Sequence, residues 1–371
     1  MKTSNFSDSL LRELIKNINN IFFDNVRTYT SKHYEYNLLV RFLRKLIHNF
    51  RLLSCSKQEK FYSELSGIIH QYILANKEFH NIYEILDDDY SRNLLLNVVA
   101  YRILGCRRYK LPLNNPEYWQ LLRKIEKSSD LRNYIDPNFL NFKLSLFNVD
   151  NAKHNISLYY MPIGVLNTFY LKQYVCPSNN AIKAEVGDIV IDAGGCWGDT
   201  ALYFASEVGE TGKVYSFEFI PTNIEIMKKN LDQNPKLKES IEVISHPLWS
   251  SSGETMYYID NGPASRISFE KFPESNVQGE TISISIDDFT ERFDIQKINF
   301  IKMDIEGAEL NALKGSIKSL KRFKPKLAIS VYHNCDDLSN ISEFINSLGL
   351  DYKLYLGHFT THSEETVLYA I

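Results

Sequence analysis

The chain lacks most of the features that would assign it a function at once. It has no Cys-x-x-Cys pair: Cys55, Cys106, Cys176, Cys196 and Cys335 stand far apart among 371 residues. That scatter argues against a zinc site or a disulfide framework, and for a reducing compartment. It has no excess of positive charge, with a formal net charge of −3, so nucleic acid gains no support as a partner. No apolar run reaches the length of a membrane span. The most apolar stretch, residues 94–104, is broken by Asn97 and Arg102 and is too short to cross a bilayer. The opening residues, MKTSNFSDSLLRELI, lack the apolar centre of a signal peptide. Internal repeats and low-complexity tails are also missing. These absences lead to the expectation of a cytoplasmic protein without a membrane span, long enough for two or three domains.

What is present divides the chain into three. Residues 1–110 carry apolar stripes at helical spacing: Leu10, Leu14, Ile15, Ile18 and Ile21; Leu39, Phe42, Leu43, Leu46 and Ile47; Phe61, Leu65, Ile68, Ile69 and Tyr72; and Leu94, Leu95, Val98 and Val99. The acidic run Asp87-Asp88-Asp89 before the fourth stripe reads as a solvated helix cap, with metal binding as the other reading. Residues 111–180 are punctuated by prolines and read as a connector, with a helix near 117–127 and a strand-like piece at 158–163. From 181 to 371, strands and helices alternate. Strands are expected at 188–192, 213–217, 241–245, 300–303, 327–331, 352–356 and 366–370, and helices at 222–234, 308–320 and 338–348. This pattern predicts an α/β fold with a doubly wound sheet. The loop between the last two strands is too short for a crossover helix, so they should pair antiparallel.

Four segments in this last part carry chemistry. In VIDAGGCWG, an apolar strand ends on Asp192 and runs into a loop containing Gly194, Gly195 and Gly198. Glycines let a ligand approach the backbone there, and the helix after it offers free N–H groups. The loop only approximates the GxGxxG of a dinucleotide site. Asp192 suits an ammonium group of the ligand, or else simply caps the loop. Glu218 ends the strand VYSFE, where an acid accepts hydrogen bonds from ribose hydroxyls; Pro221 suits the first turn of the helix that follows. In IKMDIEGAEL, a strand delivers Asp304 to its carboxyl end, with Glu306 and Glu309 close behind. Those carboxylates suit a cation, a general base or a cofactor amino group. His333, in SVYHNCDD, stands just past the next strand and is a second candidate base. Cys335 beside it has no partner defined in sequence that would make it a nucleophile.

The stretches VIDAGGCWGDTAL, VYSFEFIPTN, IDDF at 286–289 and FIKMDIEGAELNALKGS together resemble the FkbM family of S-adenosylmethionine-dependent methyltransferases, over roughly residues 185–371. The resemblance implies a class I methyltransferase-like sheet with an antiparallel last strand, preceded by a helical region. It implies S-adenosylmethionine as cofactor and O-methylation, commonly of a sugar hydroxyl in a surface glycan or a similar metabolite. On that basis Asp192, Gly194, Gly195, Gly198, Glu218, Phe219, His246 and Asp304 are the expected cofactor residues, and Asp304, Glu306 and His333 the expected catalytic ones. Cys196 and Trp197 depart from the family's usual GAN-x-G loop, which leaves the contact of its amide side chain unaccounted for. An NAD-dependent oxidoreductase and a non-catalytic scaffold with the same fold are the competing readings. The loop containing GPASR, within 261–276, is expected to cover the site.

Overall fold

The computed structural model describes residues 5–18, 20, 56–140, 142–151, 154–271 and 278–371. The stripe expected from Leu39 to Ile47, and the end of the 261–276 loop, lie outside these. The chain forms two compact units: Met1–Glu126 with Leu356–Thr366, and Lys127–Tyr355 with Val367–Ile371.

In the first unit, helices α1 (Phe6–Asn17), α2 (Ser56–Ile85) and α3 (Asp89–Leu104) form the described body, followed by most of α4 (Pro116–Ser128). Helix α1 buries Phe6, Leu10 and Leu14, one residue per turn, and leaves Ile15 outside. Helix α2 buries Ala75, Phe79 and Ile82; of the expected stripe, Ile68 and Tyr72 are half-buried and Ile69 is exposed, while the side chains of Phe61 and Leu65 lie outside the described residues. The acidic run caps α3, because the Asp88 side chain accepts the Ser91 N–H at 2.7 Å. That removes one of the unpaired donors of the first turn.

The expected sheet forms, mostly within the second unit. Its strands are β4 (Ile189–Ala193), β5 (Lys213–Phe217), β6 (Ile241–Ile244), β10 (Phe300–Met303), β11 (Lys326–Ser330), β12 (Leu354–His358) and β13 (Thr366–Ala370). They lie in the order β12-β13-β11-β10-β4-β5-β6. Strands β6, β5, β4, β10 and β11 are parallel, and β13 pairs antiparallel with β11. Lys353 and Ile371 exchange both backbone hydrogen bonds, so the terminal hairpin closes antiparallel as expected. Strand order reverses between β4 and β10, and the carboxyl ends of those two strands define the crevice where such sheets bind ligands. Flanking the sheet are α6 (Asp199–Val208), α7 (Pro221–Asp232), α9 (Ile286–Arg292), α10 (Glu309–Lys314), α11 (Ile317–Phe323) and α12 (Asp337–Ser347), after two short helical turns, α5 (Pro162–Val165) and α8 (Pro235–Lys238).

The single helix expected over 308–320 is two. Gly315 sits where a Cβ would lie 2.1 Å from Trp249 O, so the chain turns there without a side chain. The second piece, α11, is then capped from outside: Asp287 accepts the N–H groups of Ser319 at 2.7 Å and Lys318 at 3.0 Å. The IDDF segment is thus an architectural motif, with Ser285 capping its own helix as well.

Two small antiparallel sheets were not expected. One is β1 (Asp130–Ile135), β2 (Leu144–Asn151) and β3 (His154–Tyr160); the other is β7 (Thr255–Ile259), β8 (Arg266–Ser268) and β9 (Gln278–Ile282). Strand β3 is held by two asparagines four residues apart, Asn230 on α7 and Asn234 at the start of α8. Asn230 accepts the Tyr159 N–H at 2.7 Å and donates to Tyr159 O at 3.1 Å, while Asn234 does the same for Ser157 at 3.0 and 2.7 Å. These amides take the place of a neighbouring strand. Asn230 also donates to Trp197 O at 2.8 Å, so it ties β3 to the glycine loop. Asn230→Ala removes three hydrogen bonds from a fully buried position and is expected to cost about 2–4 kcal/mol of unfolding free energy, read from urea denaturation. An unchanged midpoint contradicts the role given to this amide.

Candidate functional site

The glycine loop rests on a buried ion pair. Lys302, in the middle of β10, is 1% exposed, and its Nζ lies 3.2 Å from Asp192 Oδ1. The same ammonium donates to Ala193 O at 3.0 Å and Gly194 O at 2.7 Å. Asp192 also accepts from Thr200 Oγ1 at 2.9 Å and from Ser216 Oγ at 2.7 Å. Burial opposes the charge on Lys302, but Asp192, then Asp304 and Asp199, outweigh it and hold its pKa above the ordinary lysine value. Asp192 is fully buried and does not reach the cavity, so the expected ammonium contact is corrected: its partner is Lys302. Gly194 has φ +85°, and a Cβ there would lie 1.9 Å from Asp304 O. Only glycine allows the two strand ends to touch.

The cavity lies at this edge of the sheet and opens to solvent, with about 570 Å³ of empty space counted up to its mouth. Of the expected cofactor residues, Gly194, Glu218, Phe219, His246 and Asp304 line it; Asp192, Gly195 and Gly198 do not. Gly195 and Gly198 serve the loop's path instead. A Cβ on Gly195 would lie 2.1 Å from Ser216 Oγ, and Gly198 opens α6 in the left-handed conformation. His246 Nδ1 is 2.8 Å from Ile282 O, in β9. Gly262, Pro263, Ser265 and Ile267 line the cavity from the segment of the GPASR loop that is described.

Glu218 is buried. Its Oε1 accepts the N–H groups of Phe219 and Ile220 at 2.7 and 2.8 Å, while Oε2 has a longer contact, 3.4 Å, from Asn223 Nδ2. Burial raises its pKa to about 7 against the pull of those donors. Asn223 is the link that the sequence did not reveal. Its Oδ1 accepts the Trp197 indole N–H at 2.9 Å, and its Nδ2 also reaches Gly262 O at 3.2 Å. Trp197 itself is fully buried among Leu144, Ile226 and the partly buried Tyr160, whose ring meets it edge-on at 5.8 Å. The indole of Trp197 is thus anchored in the interior by Asn223. Burial pushes the pKa of the Cys196 thiol well up, and Cys335 is exposed; neither forms a disulfide, nor do Cys106 and Cys176.

The IKMDIEGAE segment brings three carboxylates around one imidazole. His333 Nε2 is 3.3 Å from Asp304 Oδ1 and 3.6 Å from Glu306 Oε1, and Nδ1 is 2.9 Å from Glu309 Oε1. Glu306 has φ +56°, a left-handed conformation that costs energy in a residue with a side chain and turns it into this cluster. Burial alone lowers the His333 pKa, but the Glu309 contact and the charges of Glu309, Asp304 and Glu306 raise it to about 10. His333 is therefore already protonated near neutral pH, and its expected role as a base is corrected. It also does not line the cavity, whereas Asp304 and Glu306 do. Burial, then Asp304 and Glu309, raise the Glu306 pKa to about 7, with His333 pulling against them. Asp304 is further held by the Tyr332 hydroxyl at 3.2 Å and the Tyr174 hydroxyl at 3.5 Å.

Removing one partner of the pair under the loop exposes its importance. Lys302→Met leaves Asp192 charged and unpaired in the interior, at an expected cost of about 3–5 kcal/mol. The double variant Lys302→Met/Asp192→Asn is expected to recover much of that in thermal or urea unfolding. If the single variant is as stable as the parent, the pair does not support the loop.

Residues 181–353 match the family profile Methyltransferase FkbM domain. No curated protein matches the chain. Among solved structures, it is similar to the methyltransferase FkbM from Methylobacillus flagellatus KT, at 19% identity and a TM-score of 0.50. That match covers 81% of this chain and 59% of the other, so this chain spans under two thirds of its relative's length. Weaker similarities include Aeropyrum pernix fibrillarin in complex with natively bound S-adenosyl-L-methionine (12% identity, 54% of this chain and 74% of that one, TM-score 0.35). Another is the O-methyltransferase from Bacillus cereus in complex with SAH (11% identity, 49% and 73%, TM-score 0.32). The strand order, with its antiparallel insertion, is that of the class I methyltransferase fold. Residues 181–353 are an FkbM methyltransferase domain.

Proposed function

We propose that this chain transfers the methyl group of S-adenosylmethionine to an oxygen atom, in a sugar hydroxyl of a surface glycan or a similar metabolite. One observation carries the cofactor reading: Glu218 faces the cavity with Oε1 engaged by two backbone N–H groups and Oε2 reached by Asn223 Nδ2 at 3.4 Å, the Cys196 backbone N–H also acting on the carboxylate. Oε2 suits the ribose hydroxyls of an adenosine. Gly194 gives the ligand access to backbone at the other strand end, and Phe219 and His246 line the wall beside Glu218. When bound, the cofactor supplies an electrophilic methyl that carries its own leaving group. Positioning is then the main task of the protein. Asp304 and Glu306, both on the cavity wall, are the groups placed to receive the acceptor's hydroxyl proton. His333 fixes them from behind as a cation. The glycan acceptor rests on the family resemblance. None of the four described cysteines forms a disulfide, in keeping with a reducing, cytoplasmic setting. No helix among the described residues is long and apolar enough to cross a membrane.

Calorimetric titration tests this reading: S-adenosylmethionine is expected to bind and NADH not to, and binding of NADH alone overturns it. The pH dependence tests the role of Glu218. In the free chain its pKa is raised from 4.5 to about 7, so a proton is retained on folding that the unfolded chain has released. Ionising it therefore costs stability as pH rises from 4.5 through 7. Hydroxyl donors on a ligand favour the ionised form, so binding should strengthen by roughly tenfold between pH 6 and pH 8 and level off above. Glu218→Gln should weaken binding and flatten that profile. A profile unchanged by the substitution removes Glu218 from the binding site.

A further inference from the structure

The cluster behind the cavity is short of positive charge. Asp304, Glu306 and Glu309 surround a single imidazole; Lys302, which also acts on Asp304, is already committed to Asp192 and to two loop carbonyls, and Arg266 acts on Glu306. Glu309 is fully buried. Its Oε1 accepts the Ile305 N–H at 2.8 Å, while Oε2 has no hydrogen-bond partner among the described residues. The His333 side chain is 7% exposed, and neither ring nitrogen makes a well-directed hydrogen bond, although carboxylate oxygens lie 2.9–3.6 Å away. A buried carboxylate oxygen and a buried imidazole left unsatisfied together are costly.

Metal geometry supplies a partner for them. One ligand atom each from Asp304, Glu309 and His333 can be chosen so that all lie within 4.8 Å of one another. An ion takes one ring nitrogen only; bonds of about 2.0–2.2 Å place adjacent ligands roughly 3 Å apart, close to the 3.3 Å from His333 Nε2 to Asp304 Oδ1, whereas Glu309 Oε1 faces the other nitrogen, Nδ1, at 2.9 Å, and its carboxylate must turn to join the same ion. A donor set of one imidazole and several carboxylates suits first-row divalent ions more than Mg²⁺ or Ca²⁺, which take oxygen alone. We propose that Asp304, Glu309 and His333 form a binding site for a first-row divalent cation, with Glu306 beside it. The ion takes the place of the ring proton. Because Asp304 also lines the cavity, the ion lies at the edge of the site, where it holds and polarises an acceptor oxygen. Binding of the ion itself does not depend on the methyl-transfer reading.

The test uses Mn²⁺ with the full chain and no cofactor. Loss of the free Mn²⁺ signal in electron paramagnetic resonance should show one saturable site per chain, with Zn²⁺ competing for it. His333→Gln and Glu309→Gln should each weaken that site at least tenfold. Asp87→Asn/Asp89→Asn, which removes acid from the helix cap, should leave it unchanged. Should the buried variants fail to fold, the bound ion in the parent chain still decides, since a pulsed spectrum should show nitrogen coupling from one imidazole. Absence of saturable Mn²⁺ binding overturns the proposal. So does a bound ion without nitrogen coupling, or a site lost with Asp87 and Asp89 instead of His333.

Discussion

Everything at the ligand edge of this molecule depends on the Lys302–Asp192 pair. Strands β4 and β10 are buried on both faces, as central parallel strands are. A lysine and an aspartate side by side in such strands carry charges that must be matched to each other. The match does more than cancel. The ammonium also binds the carbonyls of Ala193 and Gly194, so the charge that neutralises Asp192 sets the path of the glycine loop. Asp192 in turn binds Thr200, at the start of α6, and Ser216, in β5. One pair thereby fixes the first strand, the loop, the helix after it and the neighbouring strand. Gly194 completes the arrangement by letting the loop touch the backbone of Asp304.

A second theme is the use of amides and an indole where charge is not wanted. Asn230 and Asn234 present strand-like hydrogen bonds to β3, and Asn223 joins the Trp197 indole to Glu218 and Gly262. Each is neutral, so each can be buried at modest cost once its bonds are made. Through Asn223, the buried tryptophan positions the acid that faces the cavity. Carboxylates are concentrated at the other side of the site, where Asp304, Glu306 and Glu309 meet around His333.

The sequence displayed the sheet clearly because its strands are short apolar runs separated by helical periodicity. The antiparallel hairpin followed from loop length alone. Glu218 and Asp304 were legible because strand ends in such sheets face the ligand crevice. Other roles depended on long-range pairing that no local pattern encodes. Asp192 looked available until Lys302, 110 positions on, was seen to occupy it, and Lys302 passed for an ordinary residue in FIKM. His333 looked like a base because its three carboxylate neighbours, which hold its proton, come from a different strand end. The two small sheets escaped notice because their strands mix polar and apolar residues, and one of them pairs with side-chain amides.

The account is tested most directly by a crystal structure of the full chain soaked with S-adenosylmethionine. It should place the ribose hydroxyls within hydrogen-bonding distance of Glu218 Oε2 and the amino-acid end against the Gly194 backbone, with Asp192 still bound to Lys302 and touching no ligand atom. An adenosine bound away from Glu218, or a ligand ammonium seated on Asp192, would contradict it.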